Sequence, residues 1–308
     1  MIGRSRYPIC VILLVALSGC HSLRPGGHDA NIAAVRDLTY HGLNALHQGQ
    51  ADQAENLLNQ AAEACPEDQR IRQHLATALV EQGRVDEAID QLQQAIENSP
   101  HDPRLYVELG ELYLTRGRPG LALEHAMVAL KIDRQMSRAW ILRGRCEREQ
   151  GDHHAALASF HRGATFDCVG TEVQFELART YQLMQRPLQA MTSLEMYSEH
   201  FAADQLPMKA VLLHADTLAD LNQYRQAADH LAAACRRSDA TADVWLALSR
   251  TQQLLGDHSS AQLTARSAQH KFPADETIAG LVQQLNTGAD SQYAPERTAA
   301  LPTTGNIR

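Results

Sequence analysis

DPRLYVELGELYLTRGRPGLALEHAMVALKID, residues 102–133, encodes two helices and the turn between them. Asp102 followed by Pro103 is a helix start: an aspartate side chain can accept from the free amides of a first turn, and proline at the first helical position gives up no hydrogen bond. Leu105, Leu109, Leu112 and Tyr113 then recur at the spacing that puts them on one helical face. Gly117 ends this helix, because the left-handed residue that closes a helix is least costly as glycine. A second amphipathic helix follows, and we expect its apolar face to comprise Leu121, Ala122, Met127 and Leu130. Neither helix can bury its face against the other alone, so the pair needs neighbours of its own kind.

Those neighbours are present. Gly49, Gly83, Gly117 and Gly151 lie 34 residues apart, and each is followed five residues later by an alanine: Ala54, Ala88, Ala122 and Ala156. The series continues without its glycine as Gln185 with Ala190 and Asn222 with Ala227, and returns as Gly256 with Ala261. Setting the glycine at repeat position 15 gives seven units, near 35–68, 69–102, 103–136, 137–170, 171–204, 208–241 and 242–275. In this register the chain resembles the tetratricopeptide repeat family. The family's aromatic at position 4 is met by Tyr106, Trp140 and Trp245, its small residue at position 8 by Gly42, Ala76, Gly110, Gly144, Ala178 and Ala215, and its closing proline by Pro66, Pro100 and Pro273. The resemblance implies an all-α fold, a tetratricopeptide-type α-solenoid of helix-turn-helix units. Ile278, Leu281, Val282 and Leu285 recur at helical spacing in 276–286, which predicts a C-terminal capping helix and a repeat region over 31–286. Gln205-Leu206-Pro207 interrupts the spacing, and we expect a bend or hinge there.

The two ends read differently. Arg4 and Arg6 precede the apolar run Ile9 to Leu17, too short to span a bilayer, so residues 1–19 read as a signal peptide. Leu17-Ser18-Gly19-Cys20 resembles the lipobox of bacterial lipoproteins, which implies cleavage before Cys20 and acylation of its thiol. Acyl chains contribute about 0.8 kcal/mol per buried CH₂ and would hold the protein on a membrane without a spanning segment. Residues 20–30, with Pro25-Gly26-Gly27, are expected to be a flexible tether, and 287–308, rich in Gly, Thr, Ala and Pro, a disordered tail. The residue after Cys20 is His21 rather than the aspartate that favours retention at an inner membrane, so an outer-membrane lipoprotein facing the periplasm is the expected location.

Cleavage would take the net charge from −8 to about −10 by removing Arg4 and Arg6, and such an acidic chain offers no basic face for nucleic acid. Cys65, Cys146, Cys168 and Cys235 show no C-x-x-C spacing and read as isolated small apolar residues, with disulfide pairing left open. The 15 histidines form no H-E-x-x-H pattern, and neither a nucleophile elbow nor a phosphate-binding glycine loop is present. We therefore expect no enzyme, cofactor, metal or small-molecule substrate.

What the resemblance implies is protein binding, since in this family the first helix of each unit lines a concave groove that takes up peptide segments. Arginine or lysine stands at position 2 of five repeats, as Arg36, Arg70, Arg104, Arg138 and Lys209, and arginine at position 9 of three, as Arg145, Arg179 and Arg250. Arg104, Arg138, Arg145, Arg148 and Arg179 around apolar Ile141 and Phe175 form the candidate groove for an acidic or carboxylate-bearing segment, gripped through bidentate arginine contacts. Glu108, Glu111, Glu149 and Glu176 interrupt this stripe. Two roles fit such a chain: a scaffold that docks partners for assembly of an envelope complex such as a pilus, a secretion apparatus or outer-membrane machinery, or an accessory subunit that regulates a cell-envelope enzyme.

Overall fold

A computed structural model describes residues 25–166, 170–202 and 204–286. The signal peptide 1–19, Cys20, Cys168 and the tail 287–308 lie outside them. All regular structure among the described residues is helical, and the helices fall where the 34-residue register puts them. Contacts divide the chain into two units, 1–91 and 92–308, with the boundary inside one helix.

The first unit contains α1 (Pro25–His47), α2 (Ala51–Ala64), α3 (Gln69–Glu81) and the start of α4 (Val85–Asn98). Helix α1 begins at Pro25, so residues 25–30 are helical and not the tether expected from Pro25-Gly26-Gly27. Proline is compatible with a first helical position, and two glycines only weaken a helix without forbidding it. Gly42 lets α1 close on α2: a β-carbon there would stand 2.8 Å from Leu58 Cγ, and Leu58 is fully buried. Arg84 joins Glu55 of α2 at 2.7 Å and Glu87 of α4 at 2.5 Å, tying the second hairpin turn to the first hairpin.

The second unit holds the rest of α4 and five hairpins: α5 (Pro103–Thr115) with α6 (Pro119–Ile132), α7 (Ser137–Glu149) with α8 (His153–Phe166), α9 (Thr171–Leu183) with α10 (Pro187–Ser198), α11 (Met208–Asp220) with α12 (Tyr224–Cys235), and α13 (Ala242–Leu254) with α14 (His258–Lys271). Asp102 caps α5 as its sequence predicts, accepting from the Arg104 amide at 3.0 Å. On α6 the expected face is displaced. Ala122, Ala126, Ala129 and Leu130 are buried, whereas Leu121 and Met127 are exposed, because small residues at the contact draw the helix in and leave the larger neighbours at its rim. The turn residue keeps its left-handed backbone in every hairpin of the unit, including those without glycine: φ is +68° at Gly117 and +84° at Gly151, and also +56° at Gln185 and +59° at Asn222. The turn is therefore fixed by the hairpin geometry, and Gln185 adopts a conformation that costs an L-residue about 1 kcal/mol.

Close approach defines the core. A β-carbon on Gly144 would lie 2.6 Å from Cε1 of Phe160, itself fully buried with Val173 and Leu177. At the far end α15 (Glu276–Asn286) buries Ile278, Leu281, Val282 and Leu285 against Ala265 and Ala268 of α14, and the Gln262 side chain donates to the Leu285 carbonyl at 3.0 Å. The capping helix is thus in place. Among α5–α15, α10 and α11, which flank the Gln205-Leu206-Pro207 insert, are the successive helices that share the least contact.

Candidate functional site

The first helices of the hairpins, α5, α7, α9, α11 and α13, lie side by side in the second unit and present positions 2, 5, 9 and 12 on one face. Their charged residues form cross-helix rungs. Position 9 of one helix meets position 2 of the next: Glu111 of α5 accepts from Arg138 of α7 at 3.3 Å, and Arg145 of α7 donates to Glu172 of α9 at 2.6 Å. Both pairs are 27 residues apart, and the sign alternates.

Beside the second rung sits a buried cluster. Glu176 of α9 accepts from Arg145 Nε at 2.7 Å and from Arg148 at 2.5 Å, and both Glu176 and Arg148 are almost wholly inaccessible. Burial pushes the Glu176 carboxyl up, and Arg148 and Arg145 more than reverse this, holding it below the usual carboxylate range. Burial likewise opposes the charge of Arg145, and Glu176 and Glu172 more than restore it. The Thr180 hydroxyl lies 3.4 Å from Arg148, and the Arg148 guanidinium rests on the Phe160 ring at 5.6 Å.

The seven expected groove residues consequently separate. Arg104 folds back on its own capping residue, Asp102, at 2.8 Å. Arg138 and Arg145 are rung members. Arg148 and Ile141 are corrected from groove to core: Arg148 is 5% exposed because Glu176 draws it in, and Ile141 is 3% exposed in the cluster of Leu157, Phe160 and Leu177. Arg179 is partly exposed and makes no hydrogen bond or ion pair among the described residues; burial and the Arg148 charge disfavour its own, with Glu176 and Glu149 opposing. Phe175 is partly exposed, whereas its position-5 counterparts Val107, Ile141 and Leu246 are buried.

Two residues outside the expected set complete this region. Lys209, at position 2 of α11, holds its ammonium 4.7 Å from the Phe175 ring centroid. Tyr197, where the repeat usually has a small residue, stacks between Phe175 at 5.5 Å and Phe201 at 4.9 Å. One hairpin further on, Asp216 at position 9 of α11 is pushed up to about 7 by burial and by the neighbouring Asp220, with Arg250 opposing. His214 and His230 pack at 4.7 Å between centroids, and burial with the His230 charge lowers His214 to about 4. Among the described residues no group of three or more histidine, cysteine or acidic side chains could hold a metal ion, and no helix is long and apolar enough to cross a membrane. The thiols of Cys146 and Cys235 are buried and pushed up by burial, to about 12 and about 11.

Residues 45–104 and 82–146 match the tetratricopeptide repeat family. The fold agrees over a longer stretch. A tetratricopeptide repeat protein from Parabacteroides merdae superposes with a TM-score of 0.62 at 15% identity, over 82% of this chain and 99% of its own. PilF of Pseudomonas aeruginosa gives 0.53 at 14% identity, over 84% of this chain and 99% of its own. PilW, a widely conserved type IV pilus biogenesis factor, gives 0.53 at 18% identity, over 82% and 98%. A comparison with curated protein sequences gives no match. Residues 45–146 thus carry the repeat signature, and the fold of the described residues is a tetratricopeptide-like α-solenoid. That fold is typically a non-catalytic platform for binding other proteins, and no enzyme family matches.

Proposed function

We propose that this protein is a lipid-anchored scaffold that binds segments of partner proteins on the face formed by α5, α7, α9, α11 and α13, in the service of an envelope assembly. The observation that carries the reading is the make-up of that face. Its charged residues are held at fixed positions by rungs between neighbouring helices. Fixed charge beside a partly exposed aromatic ring, Phe175, suits the recognition of a peptide segment.

Two further observations support the envelope setting. The lipobox-like Leu17-Ser18-Gly19-Cys20 follows a short apolar run, which suits acylation at Cys20 and a location on the periplasmic side of an outer membrane. The fold likeness includes PilW, described as a pilus biogenesis factor, although at 18% identity the likeness is one of fold. The test is in-cell crosslinking of the full chain and of Cys20→Ala, with membrane fractionation. The reading expects wild type in the membrane fraction with defined partners, and Cys20→Ala released from it. Wild type in the soluble fraction, or without any crosslinked partner, overturns it.

A further inference from the structure

Two of the rungs are neutral and the next one is not. Glu111 meets Arg138 and Arg145 meets Glu172, each pair 27 residues apart. Applied to α9 and α11 the same rule matches Arg179 at position 9 with Lys209 at position 2, now 30 apart because of the three-residue insert. Both are cations. The acid that takes up Arg145 and Arg148 from position 6 of α9, Glu176, has Leu213 as its equivalent on α11. Glu176 and Glu149 favour the Arg179 charge from nearby, yet among the described residues neither Arg179 nor Lys209 forms the ion pair that closes the other two rungs.

Phe175 lies between the two cations in the register of the face. It lies one helical turn from Arg179 on α9, and its ring carries the Lys209 ammonium at 4.7 Å. Buried Tyr197 backs Phe175 and packs in turn on the partly exposed Phe201. Phe175 is partly exposed, as is Leu212 at the same position of α11, where Val107, Ile141 and Leu246 are covered. Two cations without an ion pair beside a partly exposed aromatic ring, inside an acidic protein, are complementary to one kind of segment.

We infer that Arg179, Lys209 and Phe175 form the docking point for an acidic segment of a partner protein, in which a carboxylate lies between the two cations and an adjacent apolar side chain covers Phe175. The inference rests on the scaffold reading and narrows it, moving recognition away from Arg104, Arg138, Arg145 and Arg148, which the protein neutralises internally.

The probe is a dye-labelled twelve-residue Gly/Ser peptide with a central Asp-Phe-Glu, titrated with the full chain and read by fluorescence anisotropy. The control peptide carries Asn-Phe-Gln. We expect the acidic peptide to bind at least tenfold more tightly than the control, more weakly as salt rises, and at least tenfold more weakly to the Arg179→Gln, Lys209→Gln variant. Arg104→Gln should bind as wild type does. No binding of the acidic peptide, equal binding of both peptides, or undiminished binding to the double variant overturns the inference. The peptide comparison and the salt dependence use wild type alone, so they decide the matter even if the variant folds poorly. Should the peptide test fail while crosslinked partners persist in cells, the scaffold stands and the docking point is elsewhere; should the partners also be absent, the scaffold reading falls with it.

Discussion

Replacing Glu176 by glutamine keeps the side chain's shape and one acceptor while removing the only charge that compensates Arg148. The wild-type carboxylate accepts at 2.7 Å from Arg145 and at 2.5 Å from Arg148. Arg145 retains Glu172 at 2.6 Å, but the Arg148 side chain is only 4% exposed and forms no other ion pair among the described residues. Removing one partner of a buried ion pair costs about 3–5 kcal/mol. Because glutamine still accepts one hydrogen bond, Glu176→Gln belongs at the lower end, near 3 kcal/mol, or roughly 6–12 °C in melting temperature for a chain of this size. Urea unfolding followed by circular dichroism measures the loss, and hydrogen exchange in α7 and α9 localises it, since a repeat array need not unfold in one step. Adding Arg148→Met should recover most of the loss, a coupling of about 2 kcal/mol. The pH dependence has a fixed sign: the folded carboxyl sits below its ordinary 4.5, so its stabilisation is complete above that value and disappears as pH falls through the folded pKa. The difference between wild type and variant should shrink there. A loss under about 0.5 kcal/mol at neutral pH, or no rescue by Arg148→Met, would refute the view that this cluster is an ion pair under strict mutual dependence.

Asp216→Asn should act in the opposite direction. Its carboxyl is raised from 3.8 to about 7, so wild type is fully credited below pH 4 and loses stability as pH rises to 7; the bound is about 4 kcal/mol, nearer 2 with partial exposure. Denaturation of wild type and variant should coincide at pH 4 and diverge by pH 8 in favour of the variant, and a pH-independent difference would contradict the burial of Asp216. Gly144→Ala drives a β-carbon to 2.6 Å from the Phe160 ring and should cost about 1–3 kcal/mol in urea unfolding, partly restored by Phe160→Leu. Gln185→Gly relieves a φ of +56° and should add about 1 kcal/mol, whereas a destabilised variant would show that the glutamine side chain matters more than its backbone.

The fold was legible because its signal is a period. A left-handed residue every 34 positions and a small residue at position 8 recur whether or not a given repeat is well preserved, and even Gln185 and Asn222 hold the turn. The α6 face was misread because Leu121 and Met127 outrank Ala126 and Ala129 in hydrophobicity, while packing ranks by fit. The start of α1 was missed because Pro25-Gly26-Gly27 looks like a break and proline is also a helix opener. At the candidate site, the sequence located every cation and could not say which were already neutralised. Arg148 and Ile141 sit at positions that read as solvent-facing, and their burial depends on Glu176 and Phe160 arriving from other helices.

The missing information was nonetheless present as a spacing. Once residues 27 apart are read as opposing, the signs along the first-helix face give acid–base at Glu111/Arg138, base–acid at Arg145/Glu172, base–base at Arg179/Lys209 and acid–acid at Asp216/Asp243. Two successive rungs close on themselves and two do not, and the change falls at the insert, where Phe175 is partly exposed and its ring holds the Lys209 ammonium. A base–base rung has no stabilising role beside two rungs that neutralise themselves. Its position beside the partly exposed Phe175 is what a face would show if the compensating charge came from another chain. A basic stripe by itself would not distinguish such a site from a hydrated surface; the failure of a local pairing rule does.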